Sequence, residues 1–290
     1  MYLICYPQGG WNDMMSRIWY CHQYCIQTNR TLIIDTSKNW FRDSIFNYLS
    51  FSFPNLYQNP NQSLFITELY EKETVFPPDL KGMNNDHFPS IVWISPGHME
   101  TSTGIIVSTR LDRLYEETVV VYADCGSRMN INPILCYTSF TLFVLQCVKE
   151  RYDSLPKGYS GVHIRNTDYK SNLDEFIHQH DFVFSNTALF VASDHSPTIA
   201  LFHRKYGSFS FSDIPSVSEG SNIHESGEAQ ELRNSDIAIR MFNRDTIVDF
   251  LLLAASDTFY FSSKQSGFSR SVYFLQQDKG LVKWLLPFIM

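Results

Sequence analysis

Residues 161–169 begin as a short apolar run, Gly161, Val162 and Ile164, and then carry His163, Arg165 and Asp168. An imidazole, a guanidinium and a carboxylate within six residues put polar chemistry at the carboxyl end of a strand, where open α/β sheets hold their ligands. A planar guanidinium matches phosphate oxygens two at a time, so Arg165 reads as a phosphate clamp. Asp168 can orient that arginine or accept a proton from a substrate hydroxyl. The plainer alternative is a strand-end ion pair between Arg165 and Asp168 with no ligand at all. His163 either meets a pyrophosphate oxygen or is a hydrogen-bonded histidine of the core.

A second candidate is the serine- and glycine-rich stretch 262–269, followed by a helix expected from Arg270. Backbone N–H groups at a helix N-terminus, with hydroxyls beside them, suit a diphosphate, which points to Ser266, Gly267, Phe268 and Ser269. A polar turn with a helix cap would look the same. Asp249, on the helix just before, either reaches a base or ribose or is a charge on the helix face. Asp194 closes the strand expected at 188–192. Near the start, Gly9 and Gly10 form a turn after the first strand, with Asn12 or Asp13 as the cap of the next helix. The chain contains no Asp-x-Asp, HExxH or P-loop. A metal-held diphosphate is therefore not signalled, and Arg165 with backbone amides has to neutralise a leaving group.

The elements that position these residues follow from apolar spacing. Strands are expected at 2–6, 31–35, 91–94 and 118–122, all in a first sheet, and helices at 14–27 and from Pro133 to about 152. The segment 44–90 has no sustained period. The turn 154–158 is the expected domain boundary. Beyond it, strands at 161–164, 188–192 and 259–261 alternate with helices at 196–206 and 245–256, and residues 216–235 form a polar loop. Alternating strands and helices predict two Rossmann-like parallel-sheet domains, 1–155 and 156–290, facing a cleft. The last residues are free to pack back on the first domain.

Composition narrows the class. The chain has 290 residues, 44% apolar and 18% charged, an ordinary globular balance. Its net charge of −7 and the absence of a basic run exclude a nucleic-acid partner. The six cysteines contain no CxxC and read as reduced, buried thiols rather than a zinc site, with Cys21 and Cys25 on one helix face. The run at 2–5 is already the first strand, so no leader is expected ahead of it. No apolar run approaches a membrane span, leaving at most peripheral membrane contact at the C-terminus and a cytoplasmic location.

The motifs carry a family resemblance. Residues 162–168, with His163, Arg165 and Asp168, resemble the HxRxxD motif of the metal-independent fucosyltransferase superfamily, which includes the α1,6-, α1,2- and protein O-fucosyltransferases. Residues 190–197 resemble the second motif of the α1,6 branch, a strand running into a Ser-Asp turn. Residues 262–273 resemble the third, a serine-rich turn followed by Arg270 and Tyr273. The glycine turn, residues 29–34 and Asn39-Trp40 are similar to that branch's opening. The match covers roughly 3–40 and 158–275.

This resemblance implies a GT-B enzyme whose C-terminal domain holds a GDP-sugar and whose N-terminal domain faces the acceptor. It implies donor-binding roles for Gly9, Gly10, His163, Arg165, Asp194, Asp249, Ser266, Gly267, Phe268 and Ser269. The implied reaction is inverting transfer of fucose from GDP-fucose to a glycan or lipid-linked oligosaccharide, without a metal or other cofactor. The branch has a second arginine where this chain has Asn166, so another nucleotide sugar, such as a UDP-sugar, is an alternative donor. A non-catalytic glycan- or nucleotide-binding module is a further alternative. The branch's carboxylate five residues past the motif aspartate falls on Leu173. The base is thus open among Asp168, Asp174, Glu175 and Asp13.

Overall fold

The computed structural model describes the chain except positions 40, 60, 86–91, 96–97, 101–103, 105, 109, 127–128, 167–170, 213–234 and 290. The described residues fall into two compact units, Met1–Ser139 and Phe140–Met290. The division precedes the helix at 142–154, which therefore counts with the second unit and not with the first.

In the first unit the strands are β1 (Tyr2–Pro7), β2 (Thr31–Ile34), β3 (Leu49–Phe51), β4 (Leu56–Tyr57), β5 (Val75–Phe76), β6 (Val92–Ser95), β7 (His98–Glu100), β8 (Ile106–Ser108) and β9 (Val119–Asp124). Its helices are α1 (Trp11–Thr28), α2 (Gln62–Lys72) and α3 (Asn132–Leu135). The main sheet runs β4-β2-β1-β9-β5, and every pairing in it is parallel. A parallel sheet covered on both faces needs near-continuous apolar strands, and β1 and β9 are built that way. Ile4, Tyr6, Ile33, Val119 and Val121 pack against Ile66, Leu69 and Tyr70 of α2. Met15, Ile18, Cys21 and Cys25 form the buried side of α1. Chain order reverses between β1 and β9, which makes their carboxyl ends the switch point of this sheet.

Arg30 is only 1% exposed. Its guanidinium donates to the carbonyls of Tyr2 (3.3 Å), Tyr115 (2.6 Å), Glu117 (2.9 Å) and Thr118 (3.3 Å), tying the residues leading into β9 to the start of β1.

Three expectations are corrected here. The run at 91–94 is not in the first sheet, because β6 pairs antiparallel with β7, and β7 with β8. The helix expected from Pro133 to 152 is interrupted. After α3, the aromatic and β-branched residues Tyr137, Thr138 and Phe140 favour extended backbone, and β10 (Thr138–Phe140) lies beside β3 before α4 (Leu142–Ser154) begins. All six thiols are free, but Cys136 is exposed and Cys125 half-buried rather than packed away.

The second unit holds β11 (Ser160–Ile164), α5 (Leu173–Phe184), β12 (Leu189–Ser193), α6 (Ser196–Tyr206), α7 (Asp236–Ala255), β13 (Thr258–Phe261), α8 (Gly267–Gln277) and α9 (Lys279–Leu285). Its parallel sheet has the order β12-β11-β13, so β11 is central and the order again reverses at it. Val162, Ile164, Val191 and Leu189 pack with Phe176, Phe184 and Phe202. At Gly161 a Cβ would lie 2.8 Å from Ser256 Oγ and 3.1 Å from Leu253 Cδ2. Only glycine lets the end of α7 approach the strand so closely.

Two helix starts differ from expectation. α7 begins at Asp236, nine residues ahead of the expected 245, capped by the Ser235 side chain. α8 begins at Gly267, so Phe268 and Ser269 lie in its first turn. The polar loop at 216–235 falls almost wholly outside the described residues. No described helix is long and apolar enough to cross a membrane.

Candidate functional site

The carboxyl end of β11 carries the chemistry. Ile164 is in register with Ser193 of β12, so the next residues along, Arg165 and Asp194, leave the sheet side by side. Arg165 Nε lies 3.0 Å from Asp194 Oδ2, and the Asn166 backbone N–H donates to Asp194 Oδ1 at 2.9 Å. One buried carboxylate thus fixes both the arginine side chain and the peptide after it. Asp168, the partner considered from sequence, lies outside the described residues. The strand alignment is the signal that would have found Asp194 as Arg165's partner.

The neighbouring turn closes on the same place. The Arg165 backbone N–H donates to Ser262 Oγ at 3.1 Å, and the Ser171 hydroxyl donates to the Arg165 carbonyl at 2.5 Å. The two serine oxygens are 2.7 Å apart. His163 Nδ1 and Ser269 Oγ are 2.6 Å apart, and Ser269 is fully buried with its N–H bonded to Ser266 Oγ at 3.2 Å. The His163 ring packs against Phe268 (4.8 Å between centroids), and Phe268 meets Phe250 edge-on at 5.7 Å. Burial, with the Arg165 charge adding to it, pushes the His163 imidazole down to about 3. His163 is therefore neutral in ordinary buffers and offers a dipole, not a charge. The hydroxyls of Ser266 and Ser269 cap α8 and engage His163, whereas Gly267 and Phe268 contribute the first backbone turn of the helix.

Asn166 is buried, with its side-chain amide donating to Thr198 Oγ1 at 3.5 Å. His195 Nδ1 meets the same hydroxyl at 2.8 Å.

Asp249 sits in the middle of α7. Ser212 donates to its Oδ2 at 2.7 Å, and its Oδ1 has no hydrogen-bond partner among the described residues. Arg151 of α4 faces that oxygen at 3.9 Å, too far for a hydrogen bond, and instead binds Asp245 at 2.8 Å. Burial pushes the Asp249 carboxyl up to about 7 against the opposing pull of Ser212 and Arg151. Phe250, next along α7, meets Phe268 at the start of α8.

The remaining candidates lie on other elements. Glu175 is exposed in the first turn of α5, where its carboxylate accepts from the Asn172 side chain at 2.8 Å and its N–H donates back to Asn172 Oδ1. That is a helix-capping pair. Asp174 is exposed beside it. Gly9, Gly10 and Asp13 belong to the first unit. Gly9 has φ +91°, and a Cβ there would stand 2.8 Å from Asp13 Cβ and 3.0 Å from Cys125 Sγ. The cap of α1 is Gly10 rather than Asn12 or Asp13, and Asp13 lies in the first helical turn. Burial, reinforced by Asp13 and Asp124, pushes the Cys125 thiol up to about 11, so it is not a nucleophile near neutrality. Among the described residues no group of three or more His, Cys, Asp or Glu is placed to hold a metal ion.

Two parallel α/β units, with polar side chains collected at the switch point of the second, define the class of fold. No family model matches the chain, and no curated protein matches it. Solved structures do match. The NodZ α1,6-fucosyltransferase soaked with GDP-fucose superposes with a TM-score of 0.57 at 13% identity, covering 94% of this chain and 92% of that one. NodZ co-crystallised with GDP gives 0.56 with the same coverage, and the fucosyltransferase NodZ from Bradyrhizobium gives 0.57 at 12% identity. The chain has the fold of these fucosyltransferases.

Proposed function

We propose that the chain is a metal-independent, inverting glycosyltransferase of the GT-B kind, moving fucose from GDP-fucose onto a hydroxyl of a glycan or lipid-linked oligosaccharide. The observation that carries the reading is Arg165, held by Asp194 at the switch point two residues after His163, which bonds Ser269 in the first turn of α8. An arginine oriented at a helix N-terminus is suited to a diphosphate. The fold likeness to structures obtained with GDP-fucose and with GDP supports the same donor class.

In this reading the second unit binds the nucleotide sugar and the first faces the acceptor. The acceptor oxygen attacks the anomeric carbon as the bond to the diphosphate breaks. Arg165 and the first N–H groups of α8 take up the charge developing on the leaving GDP. His163, neutral and held by Ser269, adds a hydrogen bond without adding charge. A carboxylate receives the acceptor proton, worth on the order of 10²–10⁴ in rate; Asp168, Asp174, Glu175 and Asp13 are the candidates. Asn166 favours a second reading, the same chemistry on another nucleotide sugar, because its amide is turned onto Thr198 where an arginine would add positive charge.

The test is GDP release from GDP-fucose with no acceptor present, alongside thermal-shift screening of GDP, UDP and CMP sugars. A ligand at about 100 times its Kd adds ~2.7 kcal/mol of apparent stability. Arg165→Lys keeps the charge and loses the fork, and should lose all but a residual turnover with the fold intact. Unchanged turnover in that variant removes Arg165 from the mechanism, and no response to any nucleotide sugar removes the enzyme reading.

A further inference from the structure

Two hydrogen bonds meet on the backbone of Arg165 and a third joins their serine partners, and the donors can be assigned by counting protons. A serine hydroxyl has one proton to give. Ser171 spends its own on the Arg165 carbonyl, since oxygens 2.5 Å apart need a proton between them. The 2.7 Å contact between the serine oxygens must then be made by the Ser262 proton. Ser262 in turn receives the Arg165 N–H at 3.1 Å. The bonds form a closed, one-way ring from Arg165 N–H through Ser262 and Ser171 back to the Arg165 C=O.

We propose that Ser171 and Ser262 are positioning residues that act as one unit, locking the Arg165 peptide so that its guanidinium is aimed before the ligand arrives. The role assigned to that guanidinium rests on the nucleotide-sugar reading above; the ring itself does not. Ser171 stands just ahead of α5, and Ser262 just after β13. The ring therefore joins three separate chain segments at one residue, and hydrogen bonds arranged head to tail polarise one another. Neither hydroxyl has a proton left for a phosphate, so Ser262 serves the arginine rather than the ligand. Asp194 fixes the side chain through Nε and the following peptide through the Asn166 N–H. Backbone and side chain are thereby both held, which is what a catalytic arginine needs when small misplacements cost large factors in rate.

The experiment compares Ser171→Ala, Ser262→Ala, the double variant and the hydroxyl-keeping Ser171→Thr and Ser262→Thr, each also in an Arg165→Lys background. Two quantities are read: hydrogen exchange at the Arg165 amide by NMR, and GDP release from GDP-fucose. The expected result is faster amide exchange in each alanine variant and no further change in the double. Turnover falls roughly tenfold in each and no further in the double, and threonine restores both readings. In the Arg165→Lys background, serine removal leaves residual turnover unchanged. Additive losses, an unchanged amide in Ser171→Ala, or an equal loss of turnover without the arginine each overturn the proposal. If the wild type neither binds GDP nor releases it, the nucleotide-sugar reading and the aiming role fail together, and the exchange data still decide whether the ring exists.

Discussion

Asp249→Asn should stabilise the protein at high pH and do progressively less as the pH falls. The ordinary carboxyl value is 3.8, and burial in α7 lifts Asp249 to about 7. Between those values the unfolded chain has released the proton and the folded chain still holds it. The folded state binds more protons, so stability decreases as pH rises through that window and levels off above the folded value. The ceiling on the slope is about 1.4 kcal/mol per pH unit, or roughly 3 kcal/mol between pH 5 and 8. Asparagine keeps the shape and can still accept from Ser212, but it has no proton to lose, so its own contribution is flat. Arg151, left facing an amide, adds an offset that does not vary with pH because it stays paired with Asp245. Thermal unfolding of both proteins from pH 5 to 8 at constant ionic strength gives the comparison. At roughly 2–4 °C per kcal/mol for a domain of this size, the variant's advantage in Tm should widen by several degrees toward pH 8. A constant difference, or one that shrinks as pH rises, would show that Asp249 is ionised throughout and would refute the argument.

Asp194→Asn should lower turnover of GDP-fucose by roughly 10–100-fold through lost orientation of Arg165, with GDP affinity changed little, since the arginine charge remains. Equal losses in kcat and in GDP binding would contradict it. Arg30→Met strips hydrogen bonds from four carbonyls, that of Tyr115 buried and the others partly so, and should cost roughly 2–4 kcal/mol of stability in urea unfolding; a neutral outcome would mean water replaces the guanidinium. Gly161→Ala drives a methyl into Ser256 and Leu253 and should cost about 1–3 kcal/mol, measured the same way, with no loss if α7 simply shifts outward.

The elements read correctly from sequence are those whose residues state their own environment. β1, β2, β9, β11, β12 and β13 are apolar runs because each lies in a parallel sheet, and α6 carries a proline in its first turn and ends at Gly207 in the left-handed region. What escaped depends on partners distant in the chain. β4 and β5 are two-residue strands, too short to show a period, and they gain their identity by pairing with β2 and β9. β6 is apolar like a central strand yet pairs with β7, a choice made by tertiary contact. At the site, His163, Arg165 and the serine-rich turn announce themselves by residue type. Asp194 enters only through the family resemblance, as a donor contact and not as the partner of Arg165, and Ser171 not at all, since an aspartate at a strand end and a serine in a loop are common; the register of β11 against β12 sets Asp194 beside Arg165. Ser269 was visible as a loop hydroxyl, but its commitment to His163 follows from α8 starting three residues earlier than its spacing suggested.

The Arg165 amide takes its acceptor from a residue 97 positions downstream, and β11 gains its second neighbour only with β13. During synthesis the first unit is complete while this strand still lacks a flank, and contacts spanning so much chain form late and slowly. A ligand gripped by Arg165 would therefore bind only chains that extend past β13 and leave shorter ones to unfold, making occupancy of the site a gauge of whether that strand has been made.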